Sequence, residues 1–194
     1  MILDPRESPQ LDIDDIVPNM FGLDAGYWFY RVSATFTAAD PDNPGGESLA
    51  SDEIILKVPA FANNKIQVVL SWSKPVDAQG TELPNVAGYR IYRTPTVNGA
   101  SGGEVLLATV DAMTLKYTDD GTAVPGAEPP LPLGSTGNPA ALPTMAAARS
   151  GLAATAAFEP SPDPTNKNKF YVYALFGLDG AGAALGSYEY LPVN

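Results

Sequence analysis

The side chains that could do chemistry in this chain are carboxylates and aromatic rings, because the usual catalytic and metal-binding types are missing. The 194 residues include no His and no Cys, which removes the commonest general base and the commonest zinc ligands. Catalytic triads, zinc sites and His relays are thereby excluded. The Gly-rich stretches 99–103 and 177–186 lie in hairpin-like turns and do not open a helix, as a phosphate-binding loop must. These features predict a protein that is not an enzyme and binds no cofactor.

One loop carries oxygen ligands of the kind that Ca²⁺ prefers. The stretch ADPDNPGGES contains four of them: Asp40, Asp42, Asn43 and Glu47. A Ca²⁺ ion takes about six to eight oxygens, and its best-known loops hold Asp at regular spacing before a Gly. This loop lacks that spacing, so the sequence favours a solvated hairpin loop and predicts no metal site.

The other carboxylates are better explained by structure than by catalysis. Asp119 and Asp120 precede Gly121, where Asp closes a turn by accepting backbone N–H bonds. Three more carboxylates lie within residues 12–15, in a stretch without sustained periodicity. Glycoside hydrolysis needs two acids held across a cleft, and nothing in such a stretch fixes that geometry.

A run of four aromatic residues is the candidate partner-binding site. Tyr27, Trp28, Phe29 and Tyr30 are consecutive in GYWFYRVSATF. Alternation in a strand places Trp28 and Tyr30 on one face and the other two on the opposite face. One pair can pack in a core while the other contacts a partner, since aromatic residues are enriched at interfaces. Burial of both faces within one fold is the alternative.

The elements that must position these residues are short β-branched and aromatic runs closed by turn residues. Four of them occur in residues 65–119: KIQVVLSW, VAGYRIYR, EVLLATV and LKYTDDG. In the first run, apolar residues alternate with polar ones and end at Trp72, which is typical of a half-buried antiparallel strand. The pattern predicts an all-β fold. Arg90 and Arg93 lie in the second run and are expected to be plain surface charges.

The order LSW, GYRIYR, LLATV, YTDDG resembles strands B, C, C′ and E of a fibronectin type III domain. The resemblance covers residues 65–119 and implies an antiparallel immunoglobulin-like sandwich, in which Trp72 packs against Tyr89 or Tyr92. It names a fold and attaches no chemistry to it. The expected aromatic core is Trp72, Tyr89, Tyr92, Tyr117, Tyr171 and Tyr173.

Residues 26–58 are similar to the F–G hairpin of another fibronectin type III domain, with a Tyr-x-Val-x-Ala strand before a Glu-Ser-x-x-Ser turn. Strands A to E of that domain are missing upstream, and a lone hairpin is marginal in water. Its apolar face is therefore expected to be covered by the following domain, by another copy or by parts of a parent protein. We expect the chain to work in an assembly and not as an isolated monomer.

The remaining residues complete a predicted organisation in three parts. Residues 1–20 form an acidic, extended lead segment, 21–59 an additional hairpin unit, and 60–194 a sandwich with a Pro-, Gly- and Ala-rich insertion at 121–165. Residues 169–193 resemble a second F–G hairpin and are expected to complete that sandwich. Alternatively, residues 142–190 resemble one kelch-repeat blade, although a single blade cannot close a propeller.

The acidic net charge of the chain excludes some classes of partner. A formal net charge of −11 disfavours nucleic acid as a partner, since phosphate binding needs a basic face. The first residues do not read as a secretory signal, and no apolar stretch is long enough to span a membrane. We expect a structural or interaction module of an extracellular appendage, filament, cell surface or virion, which binds other protein chains as a homo-oligomer or larger assembly. The alternative is an ancillary adhesion domain of a larger secreted or surface protein that binds a glycan or receptor.

Overall fold

Alternating apolar residues form the strands of a β-sandwich in the computed structural model. The structure describes residues 2–60 and 65–138, together with the backbone of the strands at 153–159, 169–175 and 188–193. Contacts between Cα atoms divide the chain into two units, one of residues 2–138 and the other of residues 139–194 with Met1. No described helix is long and apolar enough to cross a membrane.

The first unit contains a 3₁₀ turn, Pro5–Glu7, and two antiparallel sheets. Its strands are β1 (Leu11–Asn19), β2 (Gly26–Phe36), β3 (Ile54–Val58), β4 (Lys65–Trp72), β5 (Val86–Arg93), β6 (Val105–Asp111) and β7 (Lys116–Asp119). One sheet has the order β1-β4-β7 and the other has the order β3-β2-β5-β6. The two antiparallel sheets confirm the expected all-β, sandwich-like fold.

The core lies between the two sheets and is filled by the inward residues of β2, β4 and β5. Trp72 on β4 meets Tyr89 on β5, with ring centroids 5.5 Å apart and ring planes tilted by 57°, a favourable aromatic arrangement across the sandwich. Tyr89 belongs to the central cluster of buried residues, and Tyr117 packs partly buried against it. Tyr92 is also buried, but its ring lies outside that cluster.

The N-terminal hairpin is part of this sandwich and not a separate unit. β2 pairs with β3 from Gly26↔Val58 to Tyr30↔Ile54. The same strand pairs with β5 from Tyr30↔Arg93 to Phe36↔Val86. The structure therefore differs from the expected boundary between residues 59 and 60, because the inner face of β2 is covered by strands of the same chain.

The acidic lead segment also contributes a strand, contrary to the expectation of an extended arm. β1 pairs with β4 from Leu11↔Trp72 to Asn19↔Lys65, with a register shift between Ile13 and Asp15. Leu11 and Ile13 pack against the core. The irregularity shifts the alternation by one residue, which explains why no sustained period is visible in the sequence.

The first half of the predicted insertion is an ordered crossing over the four-stranded sheet. The Leu106 N–H donates to the Glu128 carbonyl at 2.8 Å, and the Gly126 N–H donates to the Leu106 carbonyl at 2.7 Å. Further along, the Leu3 N–H donates to the Ser135 carbonyl at 3.0 Å. Residues 121–138 therefore belong to the first unit.

The second unit contains a sheet of the order β10-β9-β8. Its strands are β8 (Ala153–Glu159), β9 (Lys169–Leu175) and β10 (Tyr188–Val193). β9 and β10 were expected to complete the central sandwich, but they pair with each other and with β8. The side chains of Tyr171 and Tyr173 lie outside the described residues.

We predict that Trp72→Ala lowers the free energy of unfolding by about 3 to 5 kcal/mol, because it leaves a cavity between the sheets. Met113 provides the control, since its side chain is 89% exposed. Met113→Ala should change the free energy of unfolding by less than about 0.5 kcal/mol. Urea denaturation measures both, and equal effects would contradict the inter-sheet position of Trp72.

Candidate binding surface

The outer face of the four-stranded sheet carries an exposed apolar corner. Tyr27 and Phe29 point outward from β2, opposite Lys57 and Ile55 of β3. Tyr27 is 43% exposed and Ile55 is 57% exposed, while Phe29 is half-buried. The Lys57 ammonium lies 5.7 Å from the centroid of the Tyr27 ring, within the range of a cation–π contact. These four residues are called the hairpin corner.

The four predicted partner-binding aromatics are thus divided between two faces. Trp28 and Tyr30 are buried and cannot contact a partner. The Trp28 indole N–H donates to the Asp24 carbonyl at 2.9 Å, and the Tyr30 hydroxyl donates to Asp119 at 2.7 Å. Of the four, Tyr27 and Phe29 remain candidates for recognition.

Behind the corner, a buried ion pair joins the two sheets. Arg93 of β5 donates to both carboxylate oxygens of Asp119 on β7, at 2.7 and 2.6 Å. Arg93 therefore does not lie on the surface, as had been expected. It follows Tyr89 and Ile91 on the inward face of the strand, and its guanidinium lies 5.0 Å from the Trp28 ring centroid. Burial, together with the Asp119 charge, raises the pKa of Tyr30 well above its ordinary value and keeps its hydroxyl a donor.

The strand edges of the first unit differ in how well they are protected. β1 carries a register shift, Pro18 and three Asp residues, all features that discourage pairing with another chain. β6 is covered by the backbone bonds to Gly126 and Glu128, and β7 has only four residues. β3, with the sequence IILKV, has no strand on its outer side within the described residues. It is the most accessible edge for strand addition.

At the other end of the same face lies a polar network around Glu47. Its carboxylate accepts hydrogen bonds from the hydroxyls of Ser33, at 2.5 Å, and Tyr92. Arg90 lies 2.8 Å from Glu47 and 2.7 Å from Glu128, so one guanidinium bridges two carboxylates. Burial, followed by the hydrogen bond to Glu47, raises the pKa of Tyr92 and keeps its hydroxyl protonated.

This network forms one wall of a polar cavity of about 310 Å³. The lining residues are Thr35, Asn43, Gly45, Gly46, Glu47, Arg90, Leu131, Thr136 and Asn138. The Asn43 side chain donates to the Glu47 carbonyl at 3.0 Å and accepts from the Asn138 N–H at 2.7 Å. The cavity therefore lies between the β2–β3 loop and the crossing segment.

The loop considered for Ca²⁺ uses its side chains in other ways. Asp40 accepts hydrogen bonds from the N–H groups of Asp42, at 3.0 Å, and Asn43, at 2.7 Å. Glu47 faces Arg90, as described above. Among the described side chains, no three carboxylates are arranged to hold a metal ion.

Sequence reasoning missed the role of Arg90 because its partners are distant in the chain. Glu47 is 43 residues away and Glu128 is 38 residues away. Strand alternation could have indicated part of this role. It places Arg90 on the outer face of the sheet, between the inward side chains of Tyr89 and Ile91, where an acidic partner can reach it.

We predict that Asp119→Asn lowers the free energy of unfolding by about 3 to 5 kcal/mol, because it leaves the Arg93 charge buried without a counter-charge. The exposed pair between Lys116 and Asp14, 2.7 Å apart, is the control. Asp14→Asn should cost less than about 1 kcal/mol. A small effect of Asp119→Asn in urea denaturation would show that the inter-sheet ion pair is dispensable.

No family model, curated protein or solved structure matches the chain. Its function must therefore be argued from its own surface. The hairpin corner with the open β3 edge, and the polar cavity beside Arg90, are the two features that carry this argument.

Proposed function

We propose that this protein is a non-enzymatic structural or interaction module that binds another copy of itself through the hairpin corner. An extracellular appendage, a filament or a virion surface is the setting that best suits such a module. The observation that carries the proposal is the exposure of Tyr27 and Ile55, at 43% and 57%, beside the open edge of β3.

The chemistry of the corner is that of an interface centre. Tyr27 offers a rigid ring with a polar tip, and such residues dominate the binding energy of interfaces. The neighbouring edge offers unpaired backbone groups, which another strand can satisfy by addition to the sheet. The two features lie on the same two strands, so one partner can use both.

The basis of this proposal differs from the expectation drawn from the sequence. That expectation relied on an uncovered apolar face of the hairpin, including Trp28 and Tyr30. Because those residues lie in the core, it is the opposite face of the hairpin that can contact a second copy.

The resemblance to fibronectin type III supports an architectural role. In immunoglobulin-like sandwiches, strands A, B and E share one sheet, while C, F and G share the other. With β4, β5 and β7 taken as B, C and E, and β2 and β3 as F and G, the observed pairing fits this scheme. The difference is one of chain order, since the F–G hairpin precedes strand B.

We predict that the wild-type chain self-associates at micromolar concentration and that Ile55→Asp weakens this association at least about 30-fold. Loss of an interface centre costs about 2 kcal/mol or more. Native mass spectrometry and light scattering over a concentration series measure the dissociation constant.

Met113→Asp is the matched control, because Met113 is also exposed but lies away from the β2–β3 strands, just after β6. It should associate as the wild type does. A wild-type chain that remains monomeric, or equal weakening by both variants, would refute assembly through the corner.

A second candidate function is glycan binding, and the polar cavity favours it. Its volume of about 310 Å³ is at the lower end of ligand pockets and suits one sugar unit. Thr, Asn, Glu and Arg side chains offer both donors and acceptors to hydroxyl groups. Arg90 is already balanced by Glu47 and Glu128, which favours a neutral sugar over an anionic one.

We predict that a glycan array finds neutral glycans bound by the wild-type protein and that Arg90→Ala reduces binding about tenfold or more, because the cavity loses a charged donor. Lys74→Ala removes an exposed cation outside the cavity lining and should leave binding unchanged. Absence of any bound neutral glycan, or equal loss in both variants, would exclude this function.

A further inference from the structure

A third cluster on the outer face places two carboxylates beside one guanidinium. Glu104 lies just before β6, and its side chain is 0% exposed. Arg31 of β2 approaches it, with Nε 3.6 Å from Glu104 Oε2, and also lies 3.9 Å from Glu53. Arg31 itself donates to the Ser51 carbonyl at 2.9 Å. Within the described residues, neither carboxylate oxygen of Glu104 accepts a hydrogen bond.

Two carboxylates and one guanidinium leave one negative charge uncompensated in a buried place, which is costly. Glu53 is stabilised by donors from the β5–β6 loop: the Ser101 hydroxyl at 2.9 Å and the Gly102 N–H at 2.8 Å. No described group donates to Glu104 in this way. A proton on Glu104 makes the cluster neutral and turns Glu104 into a donor.

A bound cation would also supply positive charge, but the surroundings favour a proton. A Ca²⁺ ion needs about six to eight oxygens, whereas Glu104 is fully enclosed and the Arg31 guanidinium already lies against it. A metal ion in that position would be repelled by the positive charge of the Arg31 guanidinium.

We propose that Glu53 and Glu104 share one proton and form a pH-dependent latch that fastens the β5–β6 loop, residues 94–104, to the β2–β3 hairpin. The groups facing Glu104 are Glu53, which precedes β3, and Arg31 on β2. The loop has other contacts with the hairpin, including the Asn98 N–H to the Tyr27 carbonyl at 2.9 Å. Loss of the proton therefore loosens the loop beside Glu104 first. The inference does not depend on the proposed function.

The pKa shifts of the two carboxyl groups agree with this geometry. Burial, together with Glu53, raises the pKa of Glu104 from 4.5 to about 7. Although burial acts in the other direction, hydrogen bonds from Glu104 and Gly102 lower the pKa of Glu53. Between pH 4.5 and 7 the folded chain holds a proton that the unfolded chain has lost, so stability falls as the pH rises through this window. With no His in the chain, the usual switch group of this range is missing.

The test is urea denaturation of the full chain from pH 5 to pH 8. We predict that the folding equilibrium constant of the wild type falls on the order of a hundredfold over this range. Glu104→Gln keeps the shape of the protonated acid and its ability to donate a hydrogen bond. The folding equilibrium constant of this variant should therefore change less than about threefold between pH 5 and pH 8. Glu82→Gln alters an exposed Glu, 63% exposed and paired with Lys74, and should behave as the wild type does.

Two further measurements on the wild-type chain keep the test decisive if a variant does not fold. The Glu104 carboxyl carbon, followed by NMR, should titrate near pH 7. Amide exchange at Gly102 should rise more steeply with pH over the same range than base catalysis of exchange alone requires. A carboxyl midpoint near 4.5 would overturn the latch. Equal pH dependence in the wild type and Glu104→Gln would overturn it as well.

Discussion

The antiparallel pairing of β2 with β5 is the contact on which the rest of the first unit depends. It brings residues 30–36 of the N-terminal hairpin against residues 86–93 of the central strands. Because each strand alternates, this single register sends Trp28, Tyr30 and Tyr89 into the core. The same register places Arg31 and Arg90 on the outer face, where one meets Glu53 and Glu104 and the other meets Glu47 and Glu128. A slip of one residue would exchange the two faces.

The Arg93–Asp119 pair makes this register hard to change. The Asp119 carboxylate accepts from Arg93, from the Tyr30 hydroxyl and from the Gly121 N–H at 2.9 Å. Arg93 also donates to the Ala123 carbonyl at 3.0 Å. Such bonds offset much of the cost of taking the two charges out of water, although the Arg93 Nε–H has no hydrogen-bond partner among the described residues. Here they require β2, β5 and β7 to be in place together, so the ion pair ties the two sheets to one alignment.

Several of these features follow from the sequence and others do not. Alternation alone identified Trp72 as a core residue, and it also implies the inward position of Arg93, since Tyr89 and Ile91 precede it. The strand β1 was missed because the irregularity between Ile13 and Asp15 breaks the period. The clusters around Glu47 and Glu104 were missed for a different reason. The residues of each cluster come close together only when the hairpin has paired with β5. The residue pattern of one strand does not show which residues of another strand it will contact.

Charge explains why an interface at the hairpin corner is physically reasonable. A chain with a net charge of −11 repels its own copies, so self-association must use a region with few carboxylates. The edge of β1 carries three Asp residues and opposes such contact. The edge of β3 carries none, and Lys57 places a cation over the ring of Tyr27. Within the described residues, the edge of β3 is the open strand edge that carries a cation and no carboxylate, so an acidic neighbour is repelled least there. The backbone groups of β3 can then complete the contact by strand pairing.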